Sequence, residues 1–101
     1  MTRTENQGGA ELTVIVKIPS PLRTVTAGES QVECTPGTVR DVICEVDGRY
    51  GGFAERVMDD GQLRRFVNVF VAGEDVRFGD GIETAVTDGQ EVQILPAVAG
   101  G

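Results

Sequence analysis

Thr38-Val39-Arg40-Asp41-Val42-Ile43-Cys44-Glu45-Val46-Asp47-Gly48-Arg49-Tyr50 carries an apolar stripe at helical spacing. Val39, Val42, Ile43, Val46 and Tyr50 fall at i, i+3, i+4, i+7 and i+11, one face of a helix of about three turns. Thr38 is placed to cap it, and Asp41 three residues on comes close to a capping box. Gly48 costs roughly 1 kcal/mol against alanine inside the helix. Gly51-Gly52 ends it. Such a stripe is core, so it needs a second layer to pack on.

The segments on either side supply that layer. Before the helix, Glu11 to Ile18 alternates: Leu12, Val14, Val16 and Ile18 share one face, and Thr13, Ile15 and Lys17 the other. Pro19 and Pro21 stop the ladder, because proline has no N–H to donate. A connection with a turn near Ala27-Gly28 leads to Gln31–Thr35, with Val32 and Cys34 inward. These two strands are expected to pair as a hairpin. After the helix, Phe53 to Asp59 reads as a helical turn or loop and Asp60-Gly61 as a turn. Leu63 to Val71 is a strand with Val67, Val69 and Val71 on one face and Phe66, Asn68 and Phe70 on the other. Asp75 to Phe78 reads as a short edge strand, and Ile82 to Val86 as one helical turn. Asp88-Gly89 is a tight-turn signal, and Gln90 to Leu95 is the last strand, with Val92 and Ile94 on its core face. One helix between two strand groups in a short chain gives an α+β fold, a mixed sheet of four to five strands with the helix across one face. First and last strands side by side would run parallel in its middle.

Composition narrows the function. At 101 residues, with 40% apolar and only 5% aromatic side chains, the chain holds one core, built from Val, Ile and Leu. The net charge of −7 argues against nucleic acid as a partner. It fits a basic patch on a protein partner, and equally a surface that simply keeps a small protein soluble. Arg outnumbers Lys eight to one, and Lys17 is the single lysine. No stretch approaches the roughly 20 apolar residues of a membrane span. Residues 1–10 are a polar tail without a secretory h-region, so the expected location is the cytoplasm. Cys34 and Cys44 then read as two reduced core thiols. With no histidine, they make neither a zinc site nor, being two, a cluster site. Asp59-Asp60 is a solvated loop pair, since acid–base work needs carboxylates held apart in a cleft. Without histidine or a nucleophile elbow, a hydrolase finds no support.

The end of the chain is the candidate working part. Residues 11–95 make the domain, and Pro96-Ala97-Val98-Ala99-Gly100-Gly101 follows the last strand with no polar linker. Glycine lacks a Cβ, so Gly100 and Gly101 can pass through a narrow channel and present the carboxylate to a partner enzyme.

The element order, the turn Asp88-Gly89-Gln90-Glu91-Val92 and the Gly100-Gly101 ending resemble the β-grasp, ubiquitin-like sulfur carriers of the MoaD and ThiS family. Arg65–Val71, Glu74–Phe78 and Ile94–Gly101 resemble in particular its actinobacterial CysO-type branch. The resemblance spans roughly residues 11–101. It implies that an E1-like enzyme of the MoeB or ThiF type uses ATP to adenylate Gly101. A sulfur donor then leaves a thiocarboxylate there. Gly100, Ala99, Val98, Ala97 and Pro96 would thread the partner's channel. The protein would be a cosubstrate that binds no cofactor and is a monomer when free. In the branch the sulfur goes to an aminoacrylate on a pyridoxal-phosphate cysteine synthase, and a metalloprotease releases the product. Molybdopterin and thiamine are other acceptors. Two other readings stay open: a modifier joined to target lysines, and a non-covalent interaction module. Phe66, Phe70, Ile15 and Phe78 form the candidate docking surface on the sheet face away from the helix.

Overall fold

The computed structural model describes residues 12–96. Its elements are β1 (Val14–Lys17), a 3-10 turn (Ser20–Leu22), β2 (Gln31–Cys34), β3 (Gly37–Thr38), α1 (Val39–Arg49), α2 (Phe53–Val57), β4 (Met58–Asp59) and β5 (Gln62–Leu63). There follow β6 (Val67–Val71), β7 (Glu74–Asp75), 3-10 turns at Val76–Phe78 and Gly81–Glu83, β8 (Ala85–Val86) and β9 (Glu91–Pro96). Five strands form one mixed sheet in the order β2-β1-β9-β6-β7. β9 lies in the middle, parallel to β1 with Val92 opposite Val16, and antiparallel to β6 with Ile94 opposite Val69. β1 and β2 pair as the expected hairpin, with Val16 opposite Val32.

The core lies between the sheet and α1. Val39, Val42, Ile43 and Val46 are buried on the helix face. They meet Val14, Val16, Val32, Cys34, Val67, Val69, Val71, Val92 and Ile94 from the sheet's inner face. α1 starts in a full capping box: the Asp41 N–H donates to Thr38 Oγ1 at 3.1 Å, and the Thr38 N–H donates to Asp41 Oδ2 at 3.0 Å. The bond from the Thr38 N–H foremost, and the Thr38 hydroxyl after it, hold the Asp41 carboxyl below the usual aspartate range. A depressed folded pKa stabilises above the unfolded value, and that contribution is lost as pH falls through the folded one. Thr38→Ala is expected to cost about 1 kcal/mol in urea unfolding. It should also move the Asp41 titration, followed by NMR, part of the way back up.

The structure departs from the sequence reading at several points. Leu12 was expected inside but is 70% exposed. The strand starts only at Val14, because the segment before it is tied to the Asp88-Gly89 turn. Thr13 N–H donates to Asp88 Oδ1, and Gly89 N–H donates to the Thr13 carbonyl, both at 2.8 Å. Residues 63–71 are two strands: Leu63 pairs with Met58, a turn runs through Arg64–Phe66, and β6 follows. Phe53–Val57 does form the expected helical turn, with Phe53 and Val57 buried and its start fixed by Asp47 Oδ1, which accepts from the N–H groups of Gly52 and Ala54. Asp75–Phe78 is only briefly a strand. Asp75 Oδ1 accepts from the Arg77 N–H and turns the chain into a 3-10 coil. Ile82–Val86 is helical only at its start, in the 3-10 turn Gly81–Glu83, and Ala85–Val86 pairs with Gly37–Thr38. The last strand runs one residue further, to Pro96 opposite Val67.

The two thiols also part company. Cys34 is buried and Cys44 is exposed, so only one of them is a core thiol. Burial, with the nearby Glu45 carboxylate, pushes the Cys34 thiol up to about 11. The thiolate is the reactive form. A disulfide reagent at pH 7 should therefore titrate one thiol per native chain and two after unfolding in urea.

Candidate functional site at the base of the carboxyl terminus

β9 is the strand that runs to Pro96, and it holds a central place in the sheet. Hydrogen-bonded neighbours on both sides hold its direction. Pro96, at the limit of the described residues, has no N–H to extend a ladder. Ala97, Val98, Ala99, Gly100 and Gly101 lie outside the described residues.

Around the end of β9 the chain builds an apolar groove of about 70 Å³ from Pro19, Pro21, Leu22, Phe66, Val67, Ile94, Leu95 and Pro96. Three segments meet there. Pro19 and Pro21 turn the chain out of β1 into the 3-10 turn that presents Leu22. The Arg64–Phe66 turn brings Phe66, 57% exposed, to the entrance of β6. β9 itself supplies Leu95.

That turn is fastened from behind by Arg77. Its guanidinium donates to Asn68 Oδ1 at 2.6 Å, to the carbonyls of Arg64 and Val67 at 2.7 Å each, and to that of Arg65 at 3.4 Å. Arg64 adds a bond from Nε to the Glu55 carbonyl at 2.7 Å. Arg77 was not singled out in the sequence. Its signal was only an arginine beside a turn, which many surface arginines share.

On the sheet face away from α1, Ile15 and Phe70 are half-buried. Ile15 stands opposite Glu91 and Phe70 opposite Gln93, so the polar side of β9 separates them. Phe66 is off the sheet face, in the groove. Phe78 is 91% exposed and lines a shallow cleft of about 680 Å³ with Val71, Ala72, Glu74 and Gln90, at the sheet end far from Pro96. The four residues are thus spread over three places. A second groove of about 390 Å³ runs along β9 between Lys17, Pro19, Arg23, Ser30, Glu91, Gln93 and Leu95. None of these groups forms a nucleophile–base pair, and among the described residues no cluster suited to a metal ion occurs. The arrangement can present a chain end and hold a partner around it.

A mixed sheet with its last strand in the centre and one helix across one face is the ubiquitin-like β-grasp class of protein. Within that class the chain belongs to the ThiS family, whose model matches residues 16–101. It is similar to the sulfur carrier protein CysO of Mycobacterium tuberculosis, with 47% identity over 93 residues, 89% of this chain and 100% of that protein. It is also similar to a chain in the crystal structure of the Amycolatopsis orientalis BexX/CysO complex, with 49% identity and a TM-score of 0.83 over 87% of this chain and 99% of that one. The small archaeal modifier protein 1 of Methanosarcina acetivorans is similar at 28% identity, with a TM-score of 0.75 over 92% of this chain and 100% of that one.

Proposed function

We propose that this protein is a sulfur carrier whose working group is the terminal carboxylate of Gly101. The observation that carries this is a β-grasp domain of the ThiS family whose central strand runs to Pro96, with Gly100-Gly101 following shortly after in the sequence. An α-carboxyl with a pKa of about 3.3–3.7 is ionised at neutral pH and resists nucleophilic attack. Activation overcomes this: a carboxylate oxygen of Gly101 attacks the α-phosphorus of ATP on an E1-like enzyme, and pyrophosphate leaves. Hydrosulfide then adds to the carbonyl carbon, AMP leaves with the electrons of its bond to that carbon, the proton on sulfur is lost to solvent, and a thiocarboxylate remains. The chain contributes the reacting end and its presentation, and the enzyme contributes the catalysis. The likeness to CysO favours cysteine formation by a pyridoxal-phosphate-dependent synthase as the use of that sulfur. A metalloprotease would then free the product. Such chemistry calls for the cytoplasm, where ATP and reduced sulfur are available.

The test is pyrophosphate release by the E1-like enzyme of the same cell. It should depend on added carrier and on ATP, and should not occur with a chain lacking Gly101. Release that ignores the carrier would refute the reading. The likeness to an archaeal modifier supports a second reading, in which Gly101 is joined to lysines of target proteins. That one predicts ladders of higher mass in cell extracts. Chains of the protein on itself could grow only through Lys17 or the amino terminus.

A further inference from the structure

The cleft of about 680 Å³ beside Phe78 is acidic. Glu74, Asp75 and Asp80 are in its wall, and no basic side chain is. Asp75 is committed to its own turn, where Oδ1 accepts from the Arg77 N–H at 2.9 Å. Glu74 and Asp80 are exposed and, among the described residues, belong to no ion pair. The basic groups nearby are taken. Arg77 borders a neighbouring cleft with Asp80, but its guanidinium goes to Asn68 and to the carbonyls of Arg64, Arg65 and Val67. Arg40 pairs with Glu83 at 2.6 Å. The carboxylates do not converge on one point, since among the described residues no cluster could hold a metal ion.

Two further features of the same cleft point to an organic cation. Thr84 is in its wall, and Thr84 Oγ1 is buried with no hydrogen-bond partner among the described residues. A buried hydroxyl without a partner is costly, so the site is short of a donor. Phe78 is 91% exposed, yet its backbone is held on both sides. Val76 is buried, Arg77 is tied by the bonds just given, and the Gly79 N–H donates to the Val76 carbonyl at 3.0 Å. The turn therefore holds an aromatic ring out beside two unpaired carboxylates. Carboxylates, a hydroxyl oxygen and a ring face all attract a cation. A guanidinium, flat and with five N–H donors, can use them together.

We propose that this cleft is a second docking site, which takes an arginine-bearing loop of a partner protein. The carboxylates of Glu74 and Asp80 receive the guanidinium, Phe78 offers it a ring face, and Thr84 Oγ1 accepts one of its N–H groups. The site is remote from the reacting end. Gln90 is in the wall of the cleft, and Pro96 closes β9 six residues on, roughly 20 Å away. A protein held here leaves the carboxyl-terminal segment free to enter an active site, so the carrier can be kept by one contact while its end is used at another. The cleft does not depend on Gly101.

The experiment is an NMR titration of the full chain with the blocked peptide acetyl-Gly-Arg-Gly-Arg-Gly-amide, at about 0.15 M salt, where charges further apart than about 8 Å are screened. The amides that shift should be those of residues 71–80, 84, 85 and 90. Glu74→Gln with Asp80→Asn should weaken the peptide about tenfold. Both side chains are exposed, so the fold should keep its thermal midpoint. Phe78→Ala should weaken it about fivefold. Thr84→Val should weaken it about threefold while raising the thermal midpoint, because it removes a hydroxyl that the free chain leaves unpaired. Shifts scattered over the acidic surface at large, or a Glu74/Asp80 variant that binds like wild type, would overturn the site. The lysine counterpart of the peptide binding as tightly would overturn the guanidinium, and the same shifts with magnesium chloride would make the cleft a metal site instead. The chain without Gly101 should bind the peptide as wild type does. Failure of the sulfur-carrier reading therefore leaves this site standing, and loss of the site leaves that reading untouched.

Discussion

Phe53→Ala should destabilise the fold by about 3–5 kcal/mol, the largest loss expected of any single substitution here. Phe53 is the largest fully buried side chain, at 0% exposure. It starts α2, which packs against α1, and Val57 one turn on is also fully buried. Removing the ring leaves a cavity that the surroundings cannot close, because Asp47 pins the backbone at Gly52 and Ala54. Domains of this size are stable by only about 5–15 kcal/mol. The urea midpoint should therefore drop by a large fraction of its value, and with it the carrier's resistance to proteolysis. A loss below about 1 kcal/mol would mean that α2 is not part of the core.

Deleting Gly101 should have the opposite profile. The core and the sheet are made by residues 14–96, and removing a terminal glycine takes away no side chain. The thermal midpoint should stay where it is. Sulfur loading should disappear, because the new terminal carboxylate on Gly100 lies one residue, about 3.3–3.6 Å of extended chain, short of the reacting position. Replacing Gly101 by alanine is milder in length but adds a Cβ where the channel wall would be. It should load more slowly than wild type and faster than the deletion. Loss of function together with loss of stability would contradict a division between a folded handle and a reacting end.

Much of this was legible in the chain itself. The stripe from Val39 to Val46 and the alternation in β1, β2, β6 and β9 are periodic signals, and an element forms at each, although β1 begins only at Val14 and β6 only at Val67. The Asp88-Gly89 turn and the two prolines after β1 marked ends that the backbone respects. What escaped was structure made by long-range partners. Gly37–Thr38 and Ala85–Val86 are two-residue strands with no period to detect, and only their pairing defines them. The break at Arg64–Phe66 depends on Arg77, 10 to 13 residues further along in its bonds to Val67, Arg65 and Arg64. Cys44 sits beside the apolar stripe in the sequence, yet the helix turns it to solvent, and one helical position decides that.

The site was legible in a different way. Gly100-Gly101 stood out by its place after an apolar strand. The surface that would present it did not, because Pro19, Leu22, Phe66 and Leu95 come from three separate segments. The docking role expected of Ile15, Phe70 and Phe78 rested on strand alternation alone. The fold sets Phe78 on a turn far from Pro96 and puts polar residues of β9 between the other two.

The most direct measurement is the intact mass of the protein after incubation with ATP, a sulfide source and the E1-like enzyme of the same cell. The account predicts a gain equal to the exchange of one oxygen for one sulfur, confined by fragmentation to Gly101 and absent without ATP. An unchanged mass, with an enzyme that demonstrably activates another carrier, would contradict it.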